Sequence, residues 1–107
     1  MRVSKPVDLT EEQVQLIARA LADPSRYEIV KRISECKDTL PCETVRECLA
    51  ITAPTLSHHM KELETAGLIR AQRTGKFVNY QLRREVLHSF LHRLQRDFAK
   101  TRQSHTR

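Results

Sequence analysis

Apolar residues recur every three or four positions over most of the chain, which is the spacing of one face of an α-helix. Thr10 and Gln13 have the spacing of a capping box at the start of the first such run. The pattern predicts an amphipathic helix that begins after Thr10 and ends near Ala22. Its apolar face is formed by Val14, Ile17, Ala18 and Leu21.

Prolines mark the beginning of the next two predicted helices. Asp23 supplies an N-cap and Pro24 stands at the first helical position, where its missing N–H costs nothing. After a turn around residues 38–40, Pro41 is predicted to begin a short third helix that ends at Ile51. The apolar face of the second helix is Ile29, Val30, Ile33 and Cys36. The third helix places Cys42, Val45, Cys48 and Leu49 within an arc of about 120° at 100° per residue, which favours burial of Cys42 and Cys48.

A fourth helix, from about Pro54 to Ala66, is predicted after the tight turn 52–54, and Gly67 ends it with a left-handed cap. This helix separates its residues by type. Its apolar side holds Leu56, Met60 and Leu63. Its opposite side holds Thr55, Ser57, His58, Lys61 and Glu62. His59 falls on the border between the two sides.

From Leu68 the period changes to two, which predicts a hairpin with Thr74-Gly75 at its tip between Arg73 and Lys76. A last helix, from about Arg83 to Arg96 or beyond, is predicted to carry a wide apolar stripe. The stripe consists of Leu87, Phe90, Leu91, Leu94 and Phe98. Such a small domain cannot cover that stripe alone, so pairing of two chains is expected.

These elements predict a mainly α fold with a small β-hairpin: five helices and a two-stranded wing. Two short helices joined by a tight turn and followed by a hairpin form a winged helix-turn-helix. We expect one domain over residues 10–98, an N-terminal arm over residues 1–9 and a basic flexible tail over residues 99–107.

Charge is distributed unevenly along the 107 residues, whose formal net charge is +6. Residues 1–51 contain eight Lys or Arg against nine Asp or Glu, whereas residues 52–107 contain eleven against four. The basic half therefore begins at the fourth helix. A positive surface of this kind attracts polyanions, and double-stranded DNA is the partner that the sequence favours.

Several other classes of protein are not supported. No run of about 20 apolar residues and no signal peptide is present, so a cytoplasmic protein with three reduced cysteines and no membrane association is expected. The two glycines, Gly67 and Gly75, both serve local geometry, which leaves no phosphate-binding loop. No nucleophile stands beside a base, and therefore neither an enzyme nor a cofactor is expected.

Candidate DNA contacts follow from the polar side of the fourth helix and from the hairpin. Hydroxyl, imidazole and ammonium groups can reach base edges and phosphates, and the partial positive charge of the helix N-terminus adds attraction for phosphate. The helix contributes Thr55, Ser57, His58 and Lys61, and the hairpin contributes Arg73 and Lys76. The alternative is a winged-helix module that uses the same face for protein or RNA, without operator specificity.

Three segments resemble the ArsR family of small bacterial winged-helix repressors: ALADPSRYEIVKRI (20–33), TLSHHMKELETAGLI (55–69) and RTGKFVNYQL (73–82). The resemblance covers roughly residues 10–98. It implies a homodimer joined by its first and last helices, which binds a two-fold symmetric operator and releases it when an inducer binds or a thiol is oxidised. By position it makes Thr55, Ser57, His58 and Lys61 recognition contacts, and His59 shares that role or has a structural one.

The cysteines depart from the pattern of this family. Many members bind arsenite or zinc through a Cys-x-Cys pair on the third helix, where this chain reads Leu40-Pro41-Cys42-Glu43. Cys42 and Cys48 are separated by about 9 Å of helical rise, too far to share one tetrahedral ion. Burial in the core is the favoured interpretation. A Cys36–Cys42 thiol pair, or a three-thiol arsenite site after local unwinding, remains an alternative.

His88 and His92 stand four residues apart on the last helix, a spacing at which two imidazoles can hold one metal ion. Some relatives have a zinc site on this helix, but Val86 occupies the position of their usual acidic ligand. Packing at the edge of a dimer is therefore favoured over metal binding. The inducer, the operator and the regulated genes stay open.

Overall fold

The computed structural model describes residues 7–36 and 40–99, which form five α-helices and three short strands. In chain order these are α1 (Glu11–Ala22), α2 (Pro24–Ser34), β1 (Leu40–Pro41), α3 (Cys42–Leu49), α4 (Ala53–Thr65), β2 (Ile69–Thr74), β3 (Phe77–Leu82) and α5 (Arg84–Phe98). This order confirms the mainly α fold with a wing that the sequence predicts. The predicted turn residues Asp38 and Thr39, arm residues 1–6 and tail residues 100–107 are outside the described ranges.

Side chains fix the beginnings of the first two helices as predicted. The hydroxyl of Thr10 accepts a hydrogen bond from the backbone N–H of Gln13 at 3.1 Å, and the Gln13 side chain accepts one from the Thr10 N–H at 3.1 Å. The carboxylate of Asp23 accepts from the backbone N–H of Arg26 at 3.0 Å, with Pro24 in the first turn. At the start of α1, two N–H groups that the helix leaves unpaired thus gain partners. At the start of α2, one such group gains a partner, and Pro24 has no N–H that needs one.

One core joins the helices to the inner face of the sheet. Its fully buried side chains are Ile17, Ile29, Ile33, Val45, Leu56, Met60, Leu63 and Leu68. The prediction for α1 is wrong at one position: Ala18 is exposed and Ala20 is buried instead. The contact of α1 with the core is centred on Ile17 and Ala20. Ala18 is rotated by 100° from Ile17 in the direction away from Ala20, so its side chain lies outside that contact.

The wing is an antiparallel hairpin in which β2 and β3 pair from Ile69 opposite Leu82 to Thr74 opposite Phe77. Because Thr74 is still paired, the two-residue turn is Gly75-Lys76 and not the predicted Thr74-Gly75. Gly75 has a φ of 61°, a conformation in which glycine carries no steric penalty. Lys76 therefore stands in the turn itself, at the tip of the wing.

A third strand was not predicted. β1 pairs antiparallel with β3, with Leu40 opposite Tyr80 and Pro41 opposite Asn79, so the strand order is β1-β3-β2. Two residues are too few to show a period of two. The pairing attaches the beginning of α3 to the wing hairpin.

Two arginines of α5 hold distant parts of the chain. Arg84 donates to the backbone oxygens of Ser34 at 2.9 Å and Cys36 at 3.0 Å, which caps the C-terminal end of α2. Arg93 donates to the backbone oxygen of Leu9 at 3.0 Å and to the carboxylate of Glu11 at 2.8 Å. These contacts fix α5 against the end of α2 and against the start of α1 with the residue Leu9 before it. No helix in the described ranges is both long enough and apolar enough to cross a membrane.

Candidate nucleic-acid interface

The two sides of α4 have the environments that the sequence predicts. Leu56, Met60 and Leu63 are at most 1% exposed and belong to the core. The opposite side is open to solvent, and its residues are Thr55, Ser57, His58, Lys61 and Glu62. The helix begins at Ala53, one residue earlier than predicted, because Thr52 is its N-cap. A row of polar side chains therefore projects from α4 between residues 55 and 62.

α3 and α4 follow one another across a short turn and form a helix-turn-helix. Val45 of α3 is fully buried and Leu49 is partly buried against the core. The helix ends at Leu49, and its C-cap, Ala50, adopts a left-handed conformation with a φ of 54°. The chain reverses there and re-enters a helix three residues later. The short link keeps the N-terminus of α4 at the surface.

The N-cap of α4 also orders Thr55, the first residue of the exposed row. The Thr52 hydroxyl accepts from the backbone N–H of Thr55 at 3.4 Å and donates to the Thr55 hydroxyl at 2.9 Å. Thr55 keeps acceptor capacity on its own oxygen, since a hydroxyl has two lone pairs. The helix dipole places a partial positive charge at this end of α4, and Lys61 adds a full charge about two turns further along.

His59 stands apart from the exposed row. Its side chain is 12% exposed, and Arg26 donates from Nη1 to its Nδ1 at 3.4 Å. The same nitrogen is 4.0 Å from the carboxylate of Asp23. The pKa of Asp23 is lowered from its ordinary value of 3.8, mainly because the carboxylate accepts the backbone N–H of Arg26, with the charge of Arg26 adding to the effect. Asp23 is thus held as a carboxylate beside His59.

The wing adds basic groups beside α4. Arg73 and Lys76 are both exposed, as predicted. Sequence reasoning missed Arg70, which is exposed on β2, and Phe77, which is 64% exposed at the tip. The alternation of β2 would have shown Arg70 to be on the outer face together with Gln72 and Thr74. The sequence does not indicate that Phe77 is exposed, because an aromatic residue in a strand is usually expected to be part of the core.

One of the two cysteines that the sequence predicts to be buried, Cys48, departs from that prediction. Cys48 is exposed, so its predicted burial is wrong; the core contact of α3 is centred between Val45 and Leu49, and Cys48 falls at the far edge of the apolar arc. Cys36 is partly buried, and the side chain of Cys42 is outside the described part of the structure. His88 and His92 are both exposed on α5. Within the described ranges, no group of three or more His, Cys, Asp or Glu residues is arranged to hold a metal ion.

Comparison with known proteins decides the family. A family model described as a helix-turn-helix domain matches residues 21–72. The arsenical resistance operon repressor of Staphylococcus xylosus is 35% identical over 79 residues, which are 74% of this chain and 74% of the repressor. The chain belongs to the ArsR family of winged helix-turn-helix transcriptional regulators. The ArsR resemblance of the three quoted segments is thereby confirmed, and so is DNA-binding transcriptional regulation as the class of function.

Solved structures show the same fold for this ArsR-family chain. An ArsR-like transcriptional regulator from Rhodococcus sp. RHA1 superimposes with a TM-score of 0.71 at 19% identity, covering 82% of this chain and 81% of that one. A homodimeric winged helix-turn-helix DNA-binding domain from Mycobacterium bovis, solved by NMR, gives 0.64 at 21% identity, with 80% of each chain covered. The α3–α4 pair and the wing therefore have the arrangement of a winged helix.

Proposed function

We propose that this ArsR-family protein is a homodimeric repressor that binds an inverted-repeat operator, with α4 of each subunit in the major groove. The observation that carries the proposal is the exposed row on α4, formed by Thr55, Ser57, His58 and Lys61, opposite a side that is sealed in the core. A major groove about 12 Å wide admits one α-helix. The exposed row of α4 combines this access with side chains that can read bases.

The chemistry of the row suits base edges. Hydroxyl groups of Thr55 and Ser57 both donate and accept, so they can bond to either base of a pair. His58 offers a ring nitrogen of either kind, and Lys61 supplies a cation for guanine acceptors or phosphate. Direct contacts of this type provide sequence discrimination, whereas phosphate contacts fix register.

The wing supplies the phosphate contacts in this proposal. Arg73 and Lys76 are exposed beside the hairpin turn and have no acidic partner among the described ion pairs. Their charges are therefore available to replace the counterions of a DNA backbone. Arg70 is also exposed, but it lies on the opposite face of β2 from Arg73, because successive strand residues alternate between faces.

Exposed apolar residues on α5 support dimerisation. Leu91 is 50% exposed and Phe98 is 81% exposed, and Leu87 and Leu94 are only partly buried. An apolar groove of about 250 Å³ between α2 and α5, into which Leu21 of α1 also opens, continues this surface. The Mycobacterium bovis domain is described as homodimeric. A two-fold axis through α1 and α5 would place two copies of α4 about 34 Å apart, one turn of DNA.

Repression and location follow from the relatives and from the DNA target. The relative from Staphylococcus xylosus is named a repressor of an arsenical resistance operon. We do not assign an inducer to this chain from that relative, because the Cys-x-Cys pair of many family members is absent here. Because the proposed partner is DNA, we place the protein in the cytoplasm.

Selection of bound duplexes from a random-sequence pool tests the proposal. The expected result is an inverted repeat whose half-sites are centred about 10 base pairs apart. Light scattering should give twice the 12.5 kDa mass of one chain. A pool without enrichment would favour the protein- or RNA-binding module, and an enriched site without symmetry would contradict the dimer.

A further inference from the structure

Arg26 connects three elements at the inner edge of α4. Its Nε donates to the backbone oxygen of Ala20 in α1 at 2.9 Å, and its Nη1 donates to Nδ1 of His59 in α4 at 3.4 Å. Its own backbone N–H is held by Asp23 at 3.0 Å. We propose that Asp23, Arg26 and His59 form a positioning bracket that fixes α4 relative to α1, and that His59 is a positioning residue and not a base contact. This inference rests on the proposed function.

The guanidinium group makes the bracket rigid. It is planar, always charged and presents its N–H donors in fixed directions. Two of these donors are directed at two different helices, one at α1 and one at α4. A rotation of α4 about its axis would therefore break the bond to His59 while the bond to Ala20 holds Arg26 in place.

The contact also determines the tautomer of the His59 ring. Guanidinium N–H groups only donate, so Nδ1 must be the acceptor, and the proton of the neutral ring is placed on Nε2. The carboxylate of Asp23, 4.0 Å from Nδ1, offsets the positive charge that Arg26 brings to this partly buried location. All three side chains of the bracket therefore have a charge or hydrogen-bond partner within it.

Two neighbours of the bracket give it a functional consequence. The His59 ring contacts the exposed His58 ring, with centroids 6.0 Å apart and planes tilted by 50°. α1 is one of the two helices through which we propose dimerisation. The bracket thus stands between the dimer axis and the base-reading row, and its geometry affects both the spacing and the rotation of the two copies of α4.

Arg26→Gln tests the inference. Affinity for the duplex selected by the wild-type protein should fall about tenfold, because coupling residues outside the contact surface typically change an interaction by that order. Affinity for random DNA should change by less than about twofold, because no phosphate contact is lost. Arg32→Gln is the matched control: it removes the same charge from the same helix, and the Arg32 side chain is 44% exposed and paired with Glu28. The control should keep operator affinity.

Substitutions of His59 provide a second, independent measurement. His59→Asn keeps an acceptor near the position of Nδ1, whereas His59→Leu keeps none, so Asn should retain more operator affinity than Leu. Adding Arg26→Gln to His59→Leu should cost little more, because both remove the same contact. The ¹⁵N spectrum of the neutral ring should show an unprotonated Nδ1 in the wild type and a redistributed proton in Arg26→Gln.

Three outcomes would overturn the bracket. Operator affinity that is unchanged in folded Arg26→Gln would show that the contact does not position α4. Equal losses on operator and random DNA would make Arg26 a phosphate contact. If Arg26→Gln does not fold, an equal loss of operator affinity in His59→Asn and His59→Leu would show that the contact does not position α4. A wild-type protein that enriches no duplex would instead overturn the proposed function, and the ¹⁵N spectrum would still test the Arg26 contact.

Discussion

Neighbouring side chains on α4 differ sharply in environment. Ser57 and His58 are exposed, His59 is largely enclosed, and Met60 is sealed in the core. A rotation of 100° per residue is enough to produce these differences. Single substitutions should therefore separate loss of DNA reading from loss of folding.

At position 58, removal of the ring should affect recognition alone. His58→Ala should weaken operator binding by about 1–3 kcal/mol, since a lost base-edge contact has that magnitude. The free energy of unfolding should change by less than about 0.5 kcal/mol, because the side chain is exposed. Fluorescence anisotropy with operator and random duplexes, together with urea unfolding, measures both. A similar loss on the two duplexes would argue against base reading.

The two wing cations should act without regard to sequence. Arg73→Ala combined with Lys76→Ala should weaken binding to operator and random DNA alike, and the slope of log affinity against log salt should become shallower by about 0.9 for each lost phosphate contact. Titrations at several salt concentrations give this slope. Arg32→Ala, which removes a cation from α2, should leave it unchanged. An unaltered slope in the double variant would mean that the wing does not contact the backbone.

Among the elements, those with local signals were predicted correctly. The Thr10 capping box, the Asp23-Pro24 start and the left-handed Gly67, with a φ of 83°, each depend on residues within one turn of the chain. The period of α4 also gave its buried and exposed sides. Such features can be read from sequence because their causes are adjacent in sequence.

Features that depend on distant residues were not predicted. β1 forms because Leu40 and Pro41 pair with β3, nearly 40 residues later in the chain. Arg84 reaches a helix end 48 to 50 residues earlier in the chain. Exposure of Cys48 depends on where α3 meets the core, which its own apolar arc does not specify. For the same reason, the sequence did not decide whether His59 contacts DNA or has a structural role.

The start of α2 should respond to acid through Asp23. The lowered pKa of Asp23 means that its charged form stabilises the folded state; this contribution is present above pH 3.8 and is lost as the pH falls through the lower folded value. The free energy of unfolding should therefore decrease in that range, and it should decrease less in Asp23→Asn, which keeps a capping side chain. Urea unfolding at several pH values compares the two proteins. Parallel curves would contradict the assignment.

At the scale of the whole molecule, α5 leaves apolar side chains exposed to solvent. Leu91 and Phe98 are on the same helix, next to the partly buried Leu87 and Leu94. Exposed apolar residues that are contiguous mark interaction sites more often than isolated ones do. Dimerisation would cover them and pair the two copies of α4.

Leu91→Asp should separate the dimer. A charge in an apolar interface would lower the mass measured by light scattering from two chains to one, and operator affinity should fall with it because each monomer reads one half-site. Phe77→Asp is the control: Phe77 is more exposed than Leu91 but stands on the wing, and the substitution should leave the mass unchanged. An unchanged mass for Leu91→Asp would move the dimer interface elsewhere.

The central claim is that two copies of α4 occupy successive major grooves on one side of a duplex. Methylation interference tests it most directly, because methyl groups on guanine N7 project into the major groove. On the selected duplex, we predict two clusters of interfering guanines centred about 10 base pairs apart and related by a two-fold axis. One cluster, or binding that is insensitive to N7 methylation, would contradict the account.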